Sequence, residues 1–400
     1  MRIAFVTPEY VTERNFDGGL ANHLGRVCPM LVEKGHRVIV IVASDREETI
    51  FSDGVEIHRV IVPDSGGPFW LRGLILKRLR EAKQWIRQSW ALNRACANLH
   101  KTNPFDLIQY TSYTAVGLFR LKSASSVVRL SSYEPFFQRA YSLPHSLNNR
   151  AKAYLEKRAL LRVDAIFSPS ELVADSVKKD TGLPVQVIEP PFAPHIGDVD
   201  KAPFEDLLAG KTYLLFFGTL GILKGVLDIA EIIAPLLAAY PDLFFVFIGR
   251  DGGYLNRTMM EHIWDKAGSF RGRVLYLGQM RQSQIYPILR HTTAVVIPSR
   301  IDNLPNTCIE AMACKRIVIG TKGASFDQLI EDGVSGLLVT VASPAELLSA
   351  INKALGLSPS ERISMGDTAG SRIAKLNPEV TINQLVSFYR STIKAKLGSI

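Results

Sequence analysis

Two carboxylates, Asp302 and Glu310, lie eight residues apart in a segment that leaves an apolar strand at Pro298 and enters a helix near Asn306. Asn306 is a favourable N-cap, and backbone amides at a helix start can bind an anion such as a diphosphate. Thr307 adds a hydroxyl donor. Glu310 either accepts hydrogen bonds from two vicinal hydroxyl groups or only relieves the helix dipole. The segment therefore predicts a site for an anion at the start of this helix.

Parallel sheets are the elements that would position such a segment. Short apolar, β-branched runs alternate with helical patterns along the chain, which is typical of strands buried on both faces. Between the first two runs, four apolar residues recur at helical spacing before Gly35, namely Leu20, Leu24, Val27 and Leu31. The predicted strands are 2–7, 37–43, 55–62, 106–110, 126–130, 165–168 and 185–188, then 213–217, 244–248, 274–277, 294–298, 317–320 and 336–339.

The prolines at 190, 191 and 194 predict a boundary between two blocks of alternating strands and helices. We expect two Rossmann-like, doubly wound parallel-sheet domains, residues 1–190 and 191–375, facing each other across a cleft. A last helix over 376–400 should pack back toward the first domain. Ligands of such sheets bind beyond the carboxyl ends of the strands, so motifs at those ends carry the functional argument.

Composition excludes several classes of protein. The 400 residues are 47% hydrophobic and 21% charged, which does not fit a disordered chain. The absence of an apolar run of membrane-spanning length and of a signal peptide predicts a cytoplasmic protein. Four cysteines, Cys28, Cys96, Cys308 and Cys314, lack metal-binding spacing and are expected to be buried thiols. The net charge of +9 favours acidic partners without choosing among phosphates, nucleic acid and membranes.

The whole segment 297–314 resembles the signature of retaining family-4 glycosyltransferases, which carry two acids eight residues apart after the Pro-Ser that ends a strand. The resemblance implies the GT-B fold, with a first, acceptor domain and a second domain for a nucleotide-diphosphate sugar. It departs from the family at Asp302, where glutamate is usual, and at Lys315-Arg316, where Gly-Lys is usual. The donor-binding residues implied here are Asp302, Asn303, Leu304, Pro305, Asn306, Thr307 and Glu310.

Within that set, the resemblance places Glu310 on the ribose. It places Asp302 and the backbone of residues 303–306 on the sugar and the phosphates. Together with Lys224, these two carboxylates form the predicted catalytic set.

Other segments follow the order of the same family. The loop 217–225 resembles the one that supplies an arginine and a lysine to the diphosphate; Lys224 is present, but Thr219 replaces the arginine. Arg250, just after the strand 244–248, is the candidate to compensate for that lost charge. The strand end that reads the nucleobase corresponds to Gln279 and Met280. Ahead of the first amphipathic helix, Gly18 and Gly19 match a loop that closes over the diphosphate.

One residue that many relatives carry is missing. Their strand resembling 126–130 ends in a histidine that faces the donor sugar, but this chain continues Arg129-Leu130-Ser131-Ser132-Tyr133-Glu134. A serine does not exchange a proton near neutral pH as imidazole does. Any such role would fall to Ser132 through a water molecule, or to Glu134.

Family membership implies retention of anomeric configuration without a cofactor or metal ion. Lys224 and the amides near Asn306 would stabilise the departing diphosphate. A UDP-sugar is the favoured donor and a GDP-sugar the alternative. The acceptor would be a saccharide, free or lipid-linked, as in polysaccharide biosynthesis; nucleic acid is not expected. Two other functions stay open, a nucleotide-sugar epimerase of the same fold and a non-catalytic nucleotide-sugar binding protein.

The segment 69–87 is strongly basic: residues 71–101 hold eight Lys or Arg and one acid, Glu81. Its apolar residues trace one helical side, with Trp70 and Trp85 at the two ends. One interpretation is an amphipathic helix packed on the sheet with a solvated basic side. The other is peripheral contact with an anionic membrane surface at the inner membrane face, which tryptophans at both ends would suit.

Overall fold

Apolar strand sequences build one predominantly parallel sheet in each half of the chain. The computed structural model describes residues 1–14, 19–63, 77–140, 146–193 and 199–398. These residues divide into unit 1, Met1–Pro191 with Pro378–Ile400, and unit 2, Phe192–Asn377. The fold class inferred from the sequence, two Rossmann-like α/β domains, is confirmed.

Unit 1 carries an eight-stranded sheet in the order β3-β4-β2-β1-β5-β6-β7-β8, in which only the β3–β4 pair is antiparallel among the described strands. The order reverses at β1, with β2 on one side and β5 on the other. Its elements are β1 Arg2–Thr7, α1 Gly19–Glu33, β2 Arg37–Ser44, β3 Glu48–Ser52, β4 Val55–Ile61, α2 Arg80–Thr102, β5 Leu107–Thr111, β6 Ser125–Arg129, α3 Glu134–Ala140, α4 Leu147–Leu160, β7 Ala165–Ser168, α5 Glu171–Thr181 and β8 Gln186–Val187.

The predicted strands of unit 1 are found within one or two residues, and the apolar stripe of α1 is buried as expected. The sequence analysis missed β3. Its residues alternate between exposed and half-buried at the sheet edge, so they form no apolar run.

Unit 2 carries a six-stranded, all-parallel sheet in the order β11-β10-β9-β12-β13-β14. Strands β10 and β11 lie to one side of β9, and β12 to β14 lie to the other, so a topological switch point falls between β9 and β12. The elements are α6 Ala202–Leu207, β9 Thr212–Phe217, α7 Val226–Ala239, β10 Leu243–Ile248, α8 Met259–Ala267, β11 Val274–Tyr276, α9 Gln282–His291, β12 Ala294–Val296, α10 Asn306–Ala313, β13 Val318–Thr321, β14 Leu337–Val339, α11 Pro344–Gly356 and α12 Pro359–Ala374.

The last helix, α13 (Pro378–Leu397), belongs to unit 1. Ile382 and Leu385 are buried in the same cluster as residues of β1 and α1. The ring of Phe388 stands edge-on against Phe167 of β7, with centroids 5.3 Å apart. The helix therefore covers the face of the unit 1 sheet that α1 also covers.

Candidate active site

The switch point of unit 2 brings together the loops that follow β9 and β12. Gly225 ends the first loop with φ +69°, and a Cβ atom there would lie 1.9 Å from the carbonyl oxygen of Pro298. Only glycine permits this approach. The backbone N–H of Arg300 donates to the carbonyl of Leu223 at 2.7 Å. The two loops are thus joined through their backbones, which holds their side chains in a fixed relation.

Lys224 and Asp302, 78 residues apart in sequence, meet at this junction. Lys224 Nζ donates to Asp302 Oδ2 at 2.5 Å. The other oxygen, Oδ1, accepts the backbone N–H of Asn303 at 2.9 Å, and Ser325 Oγ donates to the Asp302 carbonyl at 2.9 Å. The lysine side chain keeps 35% exposure against 15% for the aspartate. The carboxylate is therefore the better-positioned partner and the ammonium group the more accessible one.

The start of α10 differs from the sequence prediction. Asn306 is the first helical residue, and Pro305 occupies the N-cap position without a side-chain capping bond, so the prediction of an Asn306 cap is wrong. The amides of Cys308 and Ile309 both donate to the Pro305 carbonyl, at 3.1 and 3.2 Å. Leu304, which directly precedes Pro305, has φ +62°, a conformation that costs a non-glycine residue about 1–2 kcal/mol. Its buried side chain holds this conformation.

Glu310, half-buried on α10, lies beside the turn that follows β11. Gln282 Nε2 donates to Glu310 Oε1 at 3.1 Å, and Gln282 opens α9, directly after the turn that contains Gln279 and Met280. Gln279 is exposed, and Met280 is half-buried. The residues predicted for the ribose and the nucleobase are therefore neighbours.

The loops after β9 and β10 are also joined. The Leu220 N–H donates to the Arg250 carbonyl at 2.8 Å, and the Gly252 N–H donates to the Leu220 carbonyl at 2.8 Å. Thr219 and Arg250 are both exposed in these adjacent loops. Thr307 on α10 lies close to the same place, because a Cβ atom at Gly218 would be 3.8 Å from its methyl group.

Sequence reasoning missed an ion pair that anchors the signature loop. Arg300 donates to Asp228 Oδ1 at 3.0 Å, and Asp228 lies in the first turn of α7, 8% exposed. Arg300 lies inside the motif, between Pro298 and Asp302, and this position was the signal from which a structural role could have been predicted. Ser325 and Gln282, which contact Asp302 and Glu310, carried no such signal because they belong to other segments.

In unit 1, Gly19 is the exposed first residue of α1, and Gly18 lies outside the described residues. In the loop without histidine, Glu134 Oε1 accepts from Gln138 Nε2 at 2.9 Å and from Lys152 Nζ at 3.0 Å. The Ser132 carbonyl accepts from Ser112 Oγ.

Glu156 lies directly beneath this loop and accepts the Glu134 backbone N–H. Its side chain is fully buried, and this burial raises its pKa well above that of an exposed glutamate.

Three further sequence expectations concern metals, membranes and thiols. Among the residues that the structure describes, no group of three or more His, Cys, Asp or Glu could hold a metal ion. Over the same ranges, no helix is long and apolar enough to cross a membrane. The four cysteines are free, and burial raises the pKa of each thiol.

The basic segment 69–87 is described only from residue 77 onward, so Trp70 lies outside the described residues. Trp85 packs into unit 1, with its ring 6.4 Å from that of Tyr113 and Lys152 Nζ 5.6 Å from its centroid. Arg78 and Arg80 are exposed. The tryptophan at the C-terminal end of this segment therefore faces the protein.

Two predominantly parallel sheets, with a lysine–carboxylate pair at the switch point of unit 2, are typical of ligand-binding α/β proteins. Two family models match the chain: Glycosyltransferase Family 4 over residues 17–194 and Glycosyl transferases group 1 over residues 211–356. Together these matches cover most of both units. The chain belongs to the glycosyltransferases of the GT-B fold.

Similar proteins agree with this family. D-inositol 3-phosphate glycosyltransferase of Corynebacterium urealyticum is 28% identical over 44% of this chain, and the match spans 42% of that relative. Alpha-D-kanosaminyltransferase of Streptomyces kanamyceticus is 24% identical over 80% of this chain and 82% of its own. The solved sucrose-phosphate synthase of Thermosynechococcus elongatus has the same fold, with a TM-score of 0.77 at 16% identity over 99% of this chain and 100% of that one.

Proposed function

We propose that this protein transfers a hexose from a nucleotide-diphosphate sugar to a hydroxyl group of a saccharide, with retention of anomeric configuration and without a metal ion. The observation that carries the proposal is the contact between Lys224 and Asp302 at the switch point of unit 2. It supplies a cation for a leaving diphosphate and a carboxylate for sugar hydroxyls within one ion pair. The Lys224, Asp302 and Glu310 set remains the proposed catalytic set.

Donor binding would exchange the partner of Lys224. A diphosphate offers more negative charge than one carboxylate, and the ammonium group is exposed enough to reach it. Once Lys224 turns to the diphosphate, Asp302 Oδ2 is released to accept hydrogen bonds from the sugar, while Oδ1 stays held by the Asn303 N–H. Lys224 and the amides around Asn306 would then stabilise the charge that develops on the departing phosphate.

The nucleoside half of the donor would lie against Glu310 and the turn after β11. Glu310 Oε1 already accepts one hydrogen bond from Gln282, which orients the carboxylate toward this turn. The vicinal hydroxyls of the ribose would bind the carboxylate, and the backbone near Gln279 and Met280 would read the base. Thr219 and Arg250 border the diphosphate in this arrangement, with Arg250 as the second cation.

The favoured donor is a UDP-sugar, with a GDP-sugar as the alternative, and the acceptor is a saccharide, free or lipid-linked. The relative named alpha-D-kanosaminyltransferase, by its name a sugar transferase, supports transfer of a sugar group here. The acceptor hydroxyl would attack from the face that the nucleotide leaves. In unit 1, Gly18 and Gly19 would form the loop that closes over the diphosphate.

The test is turnover of purified full-length protein with UDP- and GDP-hexoses, with and without saccharide acceptors, in excess EDTA. We expect nucleotide release coupled to a glycosylated product whose anomeric configuration matches the donor. Recovery of an epimerised nucleotide sugar would establish the epimerase instead. Tight nucleotide-sugar binding without turnover of any donor would establish a binding protein. Activity that EDTA abolishes and Mn²⁺ or Mg²⁺ restores would overturn metal independence.

The basic residues at the start of α2 and just before it support a second proposal, peripheral contact of the protein with an anionic surface at the inner face of a membrane. Arg78 and Arg80 are exposed there, and each basic side chain near such a surface contributes about 1 kcal/mol. Sedimentation with anionic and neutral vesicles at low and high salt tests it. Partitioning to anionic vesicles alone, lost at high salt, is expected. Equal behaviour with both vesicle types would leave only a helix packed on the sheet.

A further inference from the structure

Arg129, the last residue of β6, is a buried cation for which the described residues supply no counter-ion. The residue is 8% exposed, and its guanidinium group makes no hydrogen bond or ion pair within the described parts of the chain. Moving a charged group out of water costs several kcal/mol unless it gains a partner. At other strand ends of this protein, a cationic side chain is paired with a carboxylate, as Lys224 is with Asp302. The described residues supply no such carboxylate to Arg129.

The surroundings of Arg129 add positive charge rather than compensate for it. The described groups that act on it electrostatically are Arg26 and His23 of α1 and Tyr389 of α13, and none of these is a carboxylate. Burial and the charge of Arg26 lower the pKa of Arg129 to about 10. Burial, together with Arg129 and Arg26, lowers the pKa of His23 well below its usual range, so its ring is neutral at pH 7 and keeps one N–H to donate.

A second unsatisfied donor lies on the neighbouring strand. Gln109 of β5 is 1% exposed, its Oε1 accepts from Tyr389 Oη, and its Nε2 finds no partner in the part of the chain that the structure describes. Thr111, two residues further along β5, is registered with Arg129 of β6, so the Gln109 and Arg129 side chains project from the same face of the sheet. Buried donors are normally paired, so an unpaired buried amide beside a cation without a counter-ion among the described residues indicates a missing acceptor.

We propose that Arg129, His23 and Gln109, here called the Arg129 site, bind a phosphate-type oxyanion. An acceptor-only, negatively charged group satisfies the guanidinium, the imidazole N–H and the amide at once. The site lies at the carboxyl end of β6, the edge where open α/β sheets bind ligands. The phosphate is either the diphosphate of a donor nucleotide or a phosphate group on the acceptor.

This proposal does not depend on the proposed transfer reaction, because anion binding is measured without turnover. The experiment uses the full-length protein titrated with inorganic phosphate, followed by calorimetry and by the shift in unfolding temperature. Three proteins are compared: wild type, Arg129→Gln and Arg37→Gln. Arg37 is the matched control, an exposed arginine of unit 1 that pairs with Glu56.

We expect phosphate to bind wild type and Arg37→Gln equally and Arg129→Gln at least tenfold more weakly. Without phosphate, Arg129→Gln should unfold at a temperature equal to or above that of wild type, because the substitution removes an unpaired buried charge. Equal phosphate affinity in all three proteins would overturn the site. A much lower stability of Arg129→Gln without phosphate would also overturn the site, because Arg129 would then stabilise the fold instead of binding an anion.

Competition with UDP distinguishes the two sources of the phosphate, the donor nucleotide and the acceptor. If UDP displaces inorganic phosphate in Lys224→Ala, in which the proposed donor lysine of unit 2 is absent, the Arg129 site takes the donor diphosphate. If phosphate affinity is the same with and without saturating UDP, the site takes a phosphate carried by the acceptor. The absence of any phosphate-dependent shift in wild type would sink both versions.

Discussion

The two units differ in how one charged side chain at a strand end is compensated. In unit 2, each charged side chain of the switch-point loops described above has a partner supplied by the protein, as in the pairs Lys224–Asp302 and Arg300–Asp228. In unit 1, Arg129 is buried without any counter-ion in the described chain. A site built from internal pairs is arranged before its ligand arrives, whereas an unpaired buried cation is satisfied only by the ligand. The four predictions below test how far this contrast holds.

Both units hold backbone at positive φ near their strand ends. In unit 2, glycines bring loops into contact, Gly225 against Pro298 and Gly249 against the carbonyl of Gly218, and Leu304 also has positive φ. In unit 1, the loop after β5 holds Thr114 and Ala115 at positive φ. Such conformations cost non-glycine residues of order 1–3 kcal/mol and persist only where the surroundings impose them. Both residues are buried, which provides that constraint.

The largest effect is expected at Lys224. Lys224→Ala removes the cation proposed to stabilise the leaving diphosphate, so the turnover rate should fall about 10²- to 10³-fold. Lys211→Ala is the control and should keep wild-type turnover, because it removes an exposed lysine of unit 2 whose Nζ donates to the Leu207 carbonyl and lies 5.7 Å from the centroid of the Phe244 ring. Steady-state rates of nucleotide release measure both. Equal rates for the two variants would show that the Lys224–Asp302 pair only holds the loops together.

The next effect concerns the junction of the two loops in unit 2. Gly225→Ala should destabilise the protein by about 3 kcal/mol, because it adds left-handed strain to a clash with the Pro298 carbonyl. Gly210→Ala is the matched control, since Gly210 has φ +75° but open space around it, and should cost only about 1–2 kcal/mol. Denaturant unfolding compares the variants. Equal losses would mean that the loops can separate without cost.

Glu310 tests the nucleoside half of the site. Glu310→Ala should weaken UDP binding by about 1–3 kcal/mol, because ribose hydroxyls would lose their acceptor. Gln282→Ala, which removes only the group that orients Glu310, should weaken UDP less. Asp302→Ala should affect the sugar nucleotide more than bare UDP. Calorimetry with UDP and a UDP-hexose separates these effects, and unchanged UDP affinity in Glu310→Ala would remove Glu310 from the site.

The smallest effect is a gain in stability. Lys315 follows α10 with φ +56°, and the Arg316 N–H donates to the Ala311 carbonyl as in a Schellman motif, whose left-handed position favours glycine. Lys315→Gly should therefore stabilise unit 2 by about 1 kcal/mol. Lys315→Ala is the control that loses the exposed Asp367 pair but keeps the strain. If alanine stabilised as much as glycine, backbone strain would not be the cause.

Much of the fold was readable from the sequence because buried parallel strands leave a local signal. The strands 2–7 and 165–168 were predicted with the bounds observed, since an uninterrupted apolar or β-branched run makes up all but one residue of each. Strand β3 has no such local signal in its sequence. Its residues, Glu48–Ser52, pair with β4 at an exposed edge of the sheet, where tertiary contact alone decides the conformation. The start of α10 was misplaced by one residue, because Asn306 and Pro305 both suit a helix start and sequence cannot choose between them.

For the site, the sequence by itself determined the family, the strand-end position of the motifs and the residue types available for a diphosphate and a ribose. These follow from local patterns in single segments. Only the tertiary structure decided that Lys224 contacts Asp302, that Gln282 contacts Glu310 and that Arg129 finds no counter-ion among the described residues. Contacts between residues tens of positions apart depend on strand order and register, which a linear pattern does not encode, and a missing counter-ion becomes visible only when all the neighbours are in place.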